Sequence, residues 1–555
     1  MGSMAVLNAP IVASPAGVPL RLAVLLSVAV LAASPALAQQ AAPDLFVDVS
    51  EEAGIGALHE ATWEEFSGEN FTRGYLATGQ AWGDYDNDGW VDLYLTGGLN
   101  PSTLYRNDGD GTFSISEHSG EVGLPDVWTG GAVWADYDND GFKDLYVLAN
   151  GANVLFHNEA GQGFQGVTQA AGVGDTGKGT TAAWGDYDGD GYLDLYVANW
   201  SCIPECPRPA DPVLASDRLY HNNRDGTFTD VSGLLNAVKL QGSAFSASFV
   251  DFDNDGDPDI YVINDKAEQP IGNVLWRNDG PGCDGWCWHD ASSETRSKIV
   301  KHGMGLAVGD YDNDLDLDFY FSDMVEPMAL LENLGDQFRD ASKTAGVGVG
   351  PGSVVGWGTA FFDFNNDGWL DLFLASTELI WAQDLQRPEG MLFPYPNPLF
   401  QNRGDGTFLD VTPTSWQQQP KPSMGVAYAD YDRDGLVDFV VGNFGQGYTL
   451  YRNAGLAGAE NHWLTIRLEG RAPINFDAIH ARVFVTTKDG LTRMQEVKSG
   501  SSLGAGNDTA LHFGLGGSTS AAVRVVWPDG TEDVVAEVAA DRILDLSYGE
   551  VGPEE

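Results

Sequence analysis

The chain has 555 residues and carries 29 Lys plus Arg against 80 Asp plus Glu, a formal charge of −51. That balance excludes nucleic acid and anionic membrane surfaces as partners, because both are bound through basic patches. It does not describe a disordered polyanion either, since 43% of the residues are hydrophobic and 16 are Trp, more than an unfolded acidic chain carries.

At the N-terminus Arg21 precedes the apolar run Leu22 to Ala33, and Ala36-Leu37-Ala38 offers a small-x-small cleavage site. This predicts a signal peptide over 1–38 and a periplasmic or extracellular product. The run is too short for a membrane span, and no later segment is apolar over 18 residues. No transmembrane segment is therefore expected in the mature chain. Four cysteines form two Cys-x-x-x-Cys pairs, Cys202 with Cys206 and Cys283 with Cys287. In an exported protein two disulfides are expected, and the local pairs are the first choice among three connectivities.

From residue 84 on, the loop Asp-x-Asp-x-Asp-Gly-x-x-Asp recurs seven times, at intervals of 50 to 67 residues. The side chains at positions one, three, five and nine are Asp84, Asp86, Asp88 and Asp92, then Asp136, Asp138, Asp140 and Asp144, then Asp186, Asp188, Asp190 and Asp194. Next come Asp251, Asp253, Asp255 and Asp259, then Asp310, Asp312, Asp314 and Asp318. The last two sets are Asp363, Asn365, Asp367 and Asp371, and Asp430, Asp432, Asp434 and Asp438. Two unit charges ~4 Å apart repel by ~4 kcal/mol at an effective dielectric of 20. A hard, oxygen-seeking cation removes that repulsion, so up to seven Ca²⁺ are expected. The bidentate Glu of an EF-hand is absent, and strands flank the loop. Two copies deviate: the fifth has Leu315 where Gly belongs, and the sixth has Asn365 at position three. These two are expected to be the weak sites.

Each repeat reads as four strands. The first ends in the acidic loop ("AWGDYD"), the second leaves it ("DLYL"), the third is "LYRN", and the fourth is opened by an aromatic residue (Phe113, Phe164, Phe228, Trp288, Phe338, Phe408). Aromatic and β-branched residues between Gly-rich turns favour strands. The seventh "LYRN" lacks a following fourth strand, while a spare one, "FVDVS", stands at Phe46 to Ser50. The expected fold is all-β: a seven-bladed propeller over 44–456, closed by its N-terminal strand. Strand-like runs with tight turns then predict a small β-sandwich domain over 461–549.

The acidic loops ring one face of such a propeller, and the long insertions ring the other. The insertions carry Trp63, Phe66, Trp200, Trp381, Phe393 and Tyr395. Aromatic loops on a rigid scaffold are where partners bind, so Trp200, Trp381 and Tyr395 are the candidate contact residues; covering of the blade tops is the equal alternative. Arg403-Gly404-Asp405 reads as a hairpin turn. Gly500-Ser501-Ser502-Leu503-Gly504 has nucleophile-elbow spacing without the strand-turn-helix context that an elbow needs. It is read as chance, and no catalytic set is assembled.

With these residues in view, "AWGDYDNDGWVDLYL" and "LYRNDGDGTF" resemble FG-GAP/VCBS repeats of integrin α-type propellers. "NHWLTIRLEG", "QEVKSGSS", "LHFGLG" and "VRVVWPDG" resemble the ASPIC/UnbV domain, with His480 where that motif has Gly. The two modules in this order are similar to the cartilage acidic protein family and its bacterial homologues. The resemblance implies a secreted calcium-binding propeller linked to adhesion or matrix contact. The expected function is a binding or adhesion module for a glycan, protein or matrix partner, with structural Ca²⁺. The alternative is a periplasmic propeller enzyme or enzyme accessory of the polysaccharide lyase or quinone-dependent dehydrogenase type.

Overall fold

Small and aromatic residues let the first strand of each repeat bury all or nearly all of its length. Thr129–Ala135 and Gly179–Gly185 are buried at every position. In the computed structural model, which describes residues 45–61, 77–200, 216–236, 239–265, 271–283, 285–324, 326–349, 354–380, 391–456 and 460–550, these first strands crowd round one axis. Neighbouring first strands pack on one another all the way round, blade one on blade seven included. The expected signal peptide, Cys202, Cys206 and Trp381 lie outside the described residues.

Each first strand pairs with a second that begins at position nine of the acidic loop, as in Asp144–Ala149. A third strand ends in Asn, as in Val154–Asn158, and a short edge strand completes the sheet, as in Phe164–Gly166. The edge strand buries only its leading aromatic residue. Seven such sheets follow one another. In the seventh the order is Phe46–Asp48, Gly447–Asn453, Asp438–Asn443, Ser423–Ala429, with Phe46 opposite Asn453 and Asp48 opposite Tyr451. The N-terminal strand therefore supplies the missing fourth strand of blade seven. Phe46, 2% exposed, packs on Phe439 with ring centroids 4.8 Å apart, a burial worth about 2–3 kcal/mol.

The third-strand Asn is the link between blades. Its Nδ2 donates to the position-two carbonyl of the preceding acidic loop: Asn158 to Tyr85, Asn222 to Tyr137, Asn278 to Tyr187, Asn333 to Phe252, Asn402 to Tyr311 and Asn453 to Phe364. Asn107 of blade one makes the same bond, at 3.0 Å, to Tyr431 of blade seven. An Asx turn is also present at Asn402, whose Oδ1 accepts from the Gly404 amide, while Asp405 accepts from Thr407. The Arg403-Gly404-Asp405 triplet is thus a hairpin turn.

After the ring, His462–Glu469, Leu511–Gly516 and Arg542–Ser547 form one sheet. Thr492–Glu496, Arg482–Thr487, Ser520–Val526 and Glu532–Ala539 form a second. Alternate residues meet in a core that includes Leu464, Val483, Phe513 and Trp527 and continues into Tyr137 and Trp184 of the propeller. All described residues belong to one compact unit, so this module packs on the ring and does not stand apart. Cys283 and Cys287 form a disulfide at the tip of blade four.

Asn222→Ala is expected to destabilise the fold by about 3 kcal/mol, because it strands the buried Tyr137 and Leu193 carbonyls that Nδ2 bonds at 2.8 and 3.0 Å at about 1–3 kcal/mol each. Urea denaturation checks the value.

Acidic loops and a plugged channel

The acidic loops share one backbone. Position four lies in the left-handed region in all seven, from Asn87 at φ 55° to Gly189 at 66°, and so does position six, from Leu315 at 76° to Gly256 at 95°. The first Asp ties the turn together: Asp84 accepts from the Asp88 amide at 3.1 Å and from the Gly89 amide at 2.8 Å. The fifth loop, expected to suffer from Leu315, keeps the same bonds, with Leu315 donating to Asp310 at 3.0 Å. Its side chain costs about 1–2 kcal/mol in that conformation. The ninth Asp is buried in every loop. Asp144 accepts from the Tyr137 amide through Oδ2 and from the Asn158 amide through Oδ1, fastening the loop to the third strand.

Several carboxylate oxygens are left over. Oδ1 of Asp138, Asp188, Asp253 and Asp312, all at position three, is buried without a hydrogen-bond partner among the described residues. So are Asp430 Oδ1 and Oδ2 of the fully buried Asp438. An unpaired buried acceptor costs about 1–3 kcal/mol, and clusters such as Asp84, Asp86 and Asp92 bring ligand oxygens within 4.8 Å of one another. An all-oxygen donor set with unpaired atoms aimed inward fits a hard divalent cation. In the first, sixth and seventh loops Oδ1 at position three instead accepts from the position-five amide, most closely at Asn365, 2.9 Å from the Asp367 amide.

The residue before each third-strand Asn was missed by sequence reasoning. Arg106 Nε holds Asp86 Oδ2 at 2.8 Å and also pairs with Asp88. His157 and His221 hold Oδ2 of Asp138 and Asp188, each at 3.4 Å. The other oxygen of Asp138 and of Asp188 is the unpaired one, so these histidines orient the carboxylates. Their recurrence in "LYRN", "LFHN" and "LYHN" was the signal available.

Burial pushes the loop carboxyls upward. Desolvation, with the neighbouring aspartates, raises Asp92 to about 9 and Asp136 and Asp310 to about 8. Unfolded, such groups titrate near 4. Between those values the cation-free fold holds protons that the unfolded chain has lost, so its stability falls as pH rises from about 4 to about 9. In chelator the melting temperature is expected to be lower at pH 8 than at pH 5.5, and excess Ca²⁺ is expected to abolish that fall. Scanning fluorimetry at both pH values checks this.

The C-terminal domain sits on the acidic-loop face and sends Ser499–Asp508 down the axis. Seven inner strands receive it. Ala505 pairs with Gln80, Gly504 O accepts from the Ala132 amide, and the Gly504 amide donates to Thr181. Ser502 bonds Ser246, Leu306 and Thr359, and Asn507 accepts from the Tyr428 amide. Gly500, at φ 85°, passes so close that a Cβ would lie 2.0 Å from the Ala182 carbonyl. The GxSxG spacing is therefore that of a plug: its tight turns serve close passage, and Ser502 is 1% exposed. Beside it lies a cavity of about 50 Å³, lined by Glu496, Lys498, Ser501 and Asp508, room for a few waters. His480, at φ 77°, packs on Phe249 across the seam.

On the opposite face Trp200 is 6% exposed; its indole N–H donates to Asp265 at 3.0 Å, and its ring packs on Phe245. It is an inward-facing cover and not an open platform. Tyr395 is half-buried in a bridge with Lys421.

The FG-GAP-like repeat family matches residues 84–147, 136–197, 212–262, 251–321, 310–374 and 377–441, and the ASPIC and UnbV family matches 472–553. The chain is 25% identical over 308 residues to cartilage acidic protein 1 of Xenopus tropicalis, covering 53% of this chain and 43% of that one. The human protein of that name is 24% identical over 303 residues, covering 52% and 42%. The chain thus matches less than half the length of these relatives. Distant structural likeness extends to an Agrocybe aegerita lectin for non-reducing terminal N-acetylglucosamine, at 17% identity, TM-score 0.37 and 61% and 81% coverage. It extends also to rhamnogalacturonan lyase YesW, at 13% identity, TM-score 0.38 and 69% and 73% coverage. On the repeats and the module that follows them, the chain belongs to the FG-GAP-repeat proteins with a C-terminal ASPIC/UnbV domain.

Proposed function

We propose that the chain is an exported, closed seven-bladed propeller whose acidic loops hold up to seven structural Ca²⁺. It serves as a binding module for a glycan, protein or matrix component, engaged through the face opposite the C-terminal domain. The carrying observation is the plug: bonded to all seven inner strands, Ser499–Asp508 fills the axis from the acidic-loop side. A filled axis leaves a substrate no room there, and the long-loop face is the one left to a partner. The unpaired carboxylate oxygens support the cation reading. The Cys283–Cys287 disulfide supports an oxidising compartment. Among the described residues no helix is long and apolar enough to cross a membrane.

One observation favours the enzyme alternative. On the long-loop face His302 Nδ1 lies 2.8 Å from Asp265 Oδ1, a pairing that orients an imidazole for proton transfer.

Chelation is expected to lower the melting temperature sharply, since one site at a hundred times its Kd contributes about 2.7 kcal/mol. An unchanged melt sinks the cation reading. Glycan-array and envelope-extract capture with Tyr395→Ala as control tests the binding face. Turnover of a polysaccharide, lost in His302→Gln, would establish the enzyme instead.

A further inference from the structure

The C-terminal domain touches the acidic loops at the atoms that give them their shape. In blade two Asp477 accepts from the Asp136 amide at 2.7 Å and pairs with Lys143 at 2.6 Å. The Phe476 amide donates to Asn139 Oδ1 at 2.8 Å. In blade four Arg482 pairs with Asp251 Oδ2 at 3.1 Å and also bonds Asn254 Oδ1 and the Asp251 carbonyl. In blade six Arg493 Nε donates to the Gly368 carbonyl at 3.1 Å, and the Gly516 amide donates to the Asn366 carbonyl at 2.9 Å. These are positions one, four and six, the first Asp and the two left-handed residues.

Those same positions carry the ring. Asn139 Nδ2 donates to the Gly191 carbonyl of the next loop at 2.8 Å, and Asn366 Nδ2 donates to the Gly435 carbonyl at 2.9 Å. A loop in its cation-holding shape therefore presents its neighbour and the C-terminal domain with matched partners at once. Within the seventh loop Oδ2 of the ninth residue, Asp438, 0% exposed, has no hydrogen-bond partner among the described residues. Trp463 of the C-terminal domain closes over that loop, so near that a Cβ on Gly435 would lie 2.0 Å from its indole.

We propose that the C-terminal domain completes the cation sites: Asp477, Arg482 and Arg493 are positioning residues that fix the loops of blades two, four and six, so that cation binding and seating of the plug form one linked equilibrium. The proposal rests on the cation reading of the loops. None of the three supplies a ligand; each acts through the backbone or the first carboxylate of a loop. Linkage is reciprocal. Whatever factor the docked domain adds to cation affinity, bound cation adds to docking. The plug is the readout of docking, because its bonds to seven inner strands form only when the domain is seated.

The test uses the full chain with Ca²⁺ as the probe. Calorimetric titration gives affinity and stoichiometry, and hydrogen exchange follows Ser499–Asp508 with Ca²⁺ and with chelator. Chelation is expected to speed exchange in that segment by about tenfold or more, and Arg493→Ala and Asp477→Asn are each expected to weaken Ca²⁺ binding by about tenfold. Arg524→Ala, on the outer surface of the same domain beside Glu532, is expected to change neither. Calcium binding with unchanged exchange in the plug overturns the linkage and leaves the cation reading standing. Absence of calcium binding to the unaltered chain overturns both. The exchange arm needs no variant, so a substitution that fails to fold does not shelter the proposal.

Discussion

A buried carboxylate whose charge must be compensated is the constraint on which each blade turns. The ninth residue of every acidic loop is an Asp held away from water. One oxygen takes the amide of the third-strand Asn, and in six of the seven loops the other takes the amide of position two, as at Asp92 with Asn107 and Tyr85. That Asn in turn reaches the previous blade. Loop closure, strand pairing and blade stacking thus run through one side chain. Desolvation raises its pKa strongly, and the clustered aspartates add to the effect. A low-dielectric site holding several such groups needs protons or a cation to be stable, and several of its buried oxygens have no hydrogen-bond partner among the described residues.

The counter-charges are divided unequally among the loops. Arg106 sits on the first loop, histidines on the second and third, and Glu332 with Arg339 beside the fifth. In the fourth blade Arg277 turns to Asp279 and Glu294 instead. Within the domain seam the same balancing recurs. Burial alone would raise Glu496, yet His480, Arg482 and Lys498 around it hold it at about 2. In a chain of charge −51 several of the scarce cations, Lys143, Arg218 and Arg482 among them, stand beside buried carboxylates, where loss of the partner would leave an uncompensated buried charge.

Much of this was legible in the sequence. Strand order, the fourth strand contributed by Phe46, and the turn nature of Arg403-Gly404-Asp405 follow from local patterns repeated seven times, and repetition averages away local ambiguity. The seventh-blade pairing of Phe46 with Asn453 is the register expected from counting strands. Other features were not legible because they are unique or long-range. Ser499–Asp508 has no second copy, and its partners lie up to 425 residues away at Gln80 and Ala81. At Trp200 the sequence leaves partner contact and blade cover as equal readings, and only its long-range contacts with Asp265 and Phe245 favour the cover. Leu315 reads in sequence as a weakened turn, whereas the bonds that Asp310 accepts from the Asp314 and Leu315 amides hold the conformation and a single residue bears the strain.

The plug also bears on how such a ring can change over evolutionary time. Seven repeats invite duplication or loss of a blade, since any blade can in principle follow any other. Here the inner strands meet the same short segment in different ways: Thr181 meets an amide, Ser246 and Leu306 share a carbonyl, Thr359 meets a hydroxyl and Tyr428 a side-chain amide. The segment works as a key whose cuts differ around the ring. An inserted or deleted blade would put every later cut out of phase, so the small domain at the end of the chain acts as a counting device that locks the blade number and its starting point.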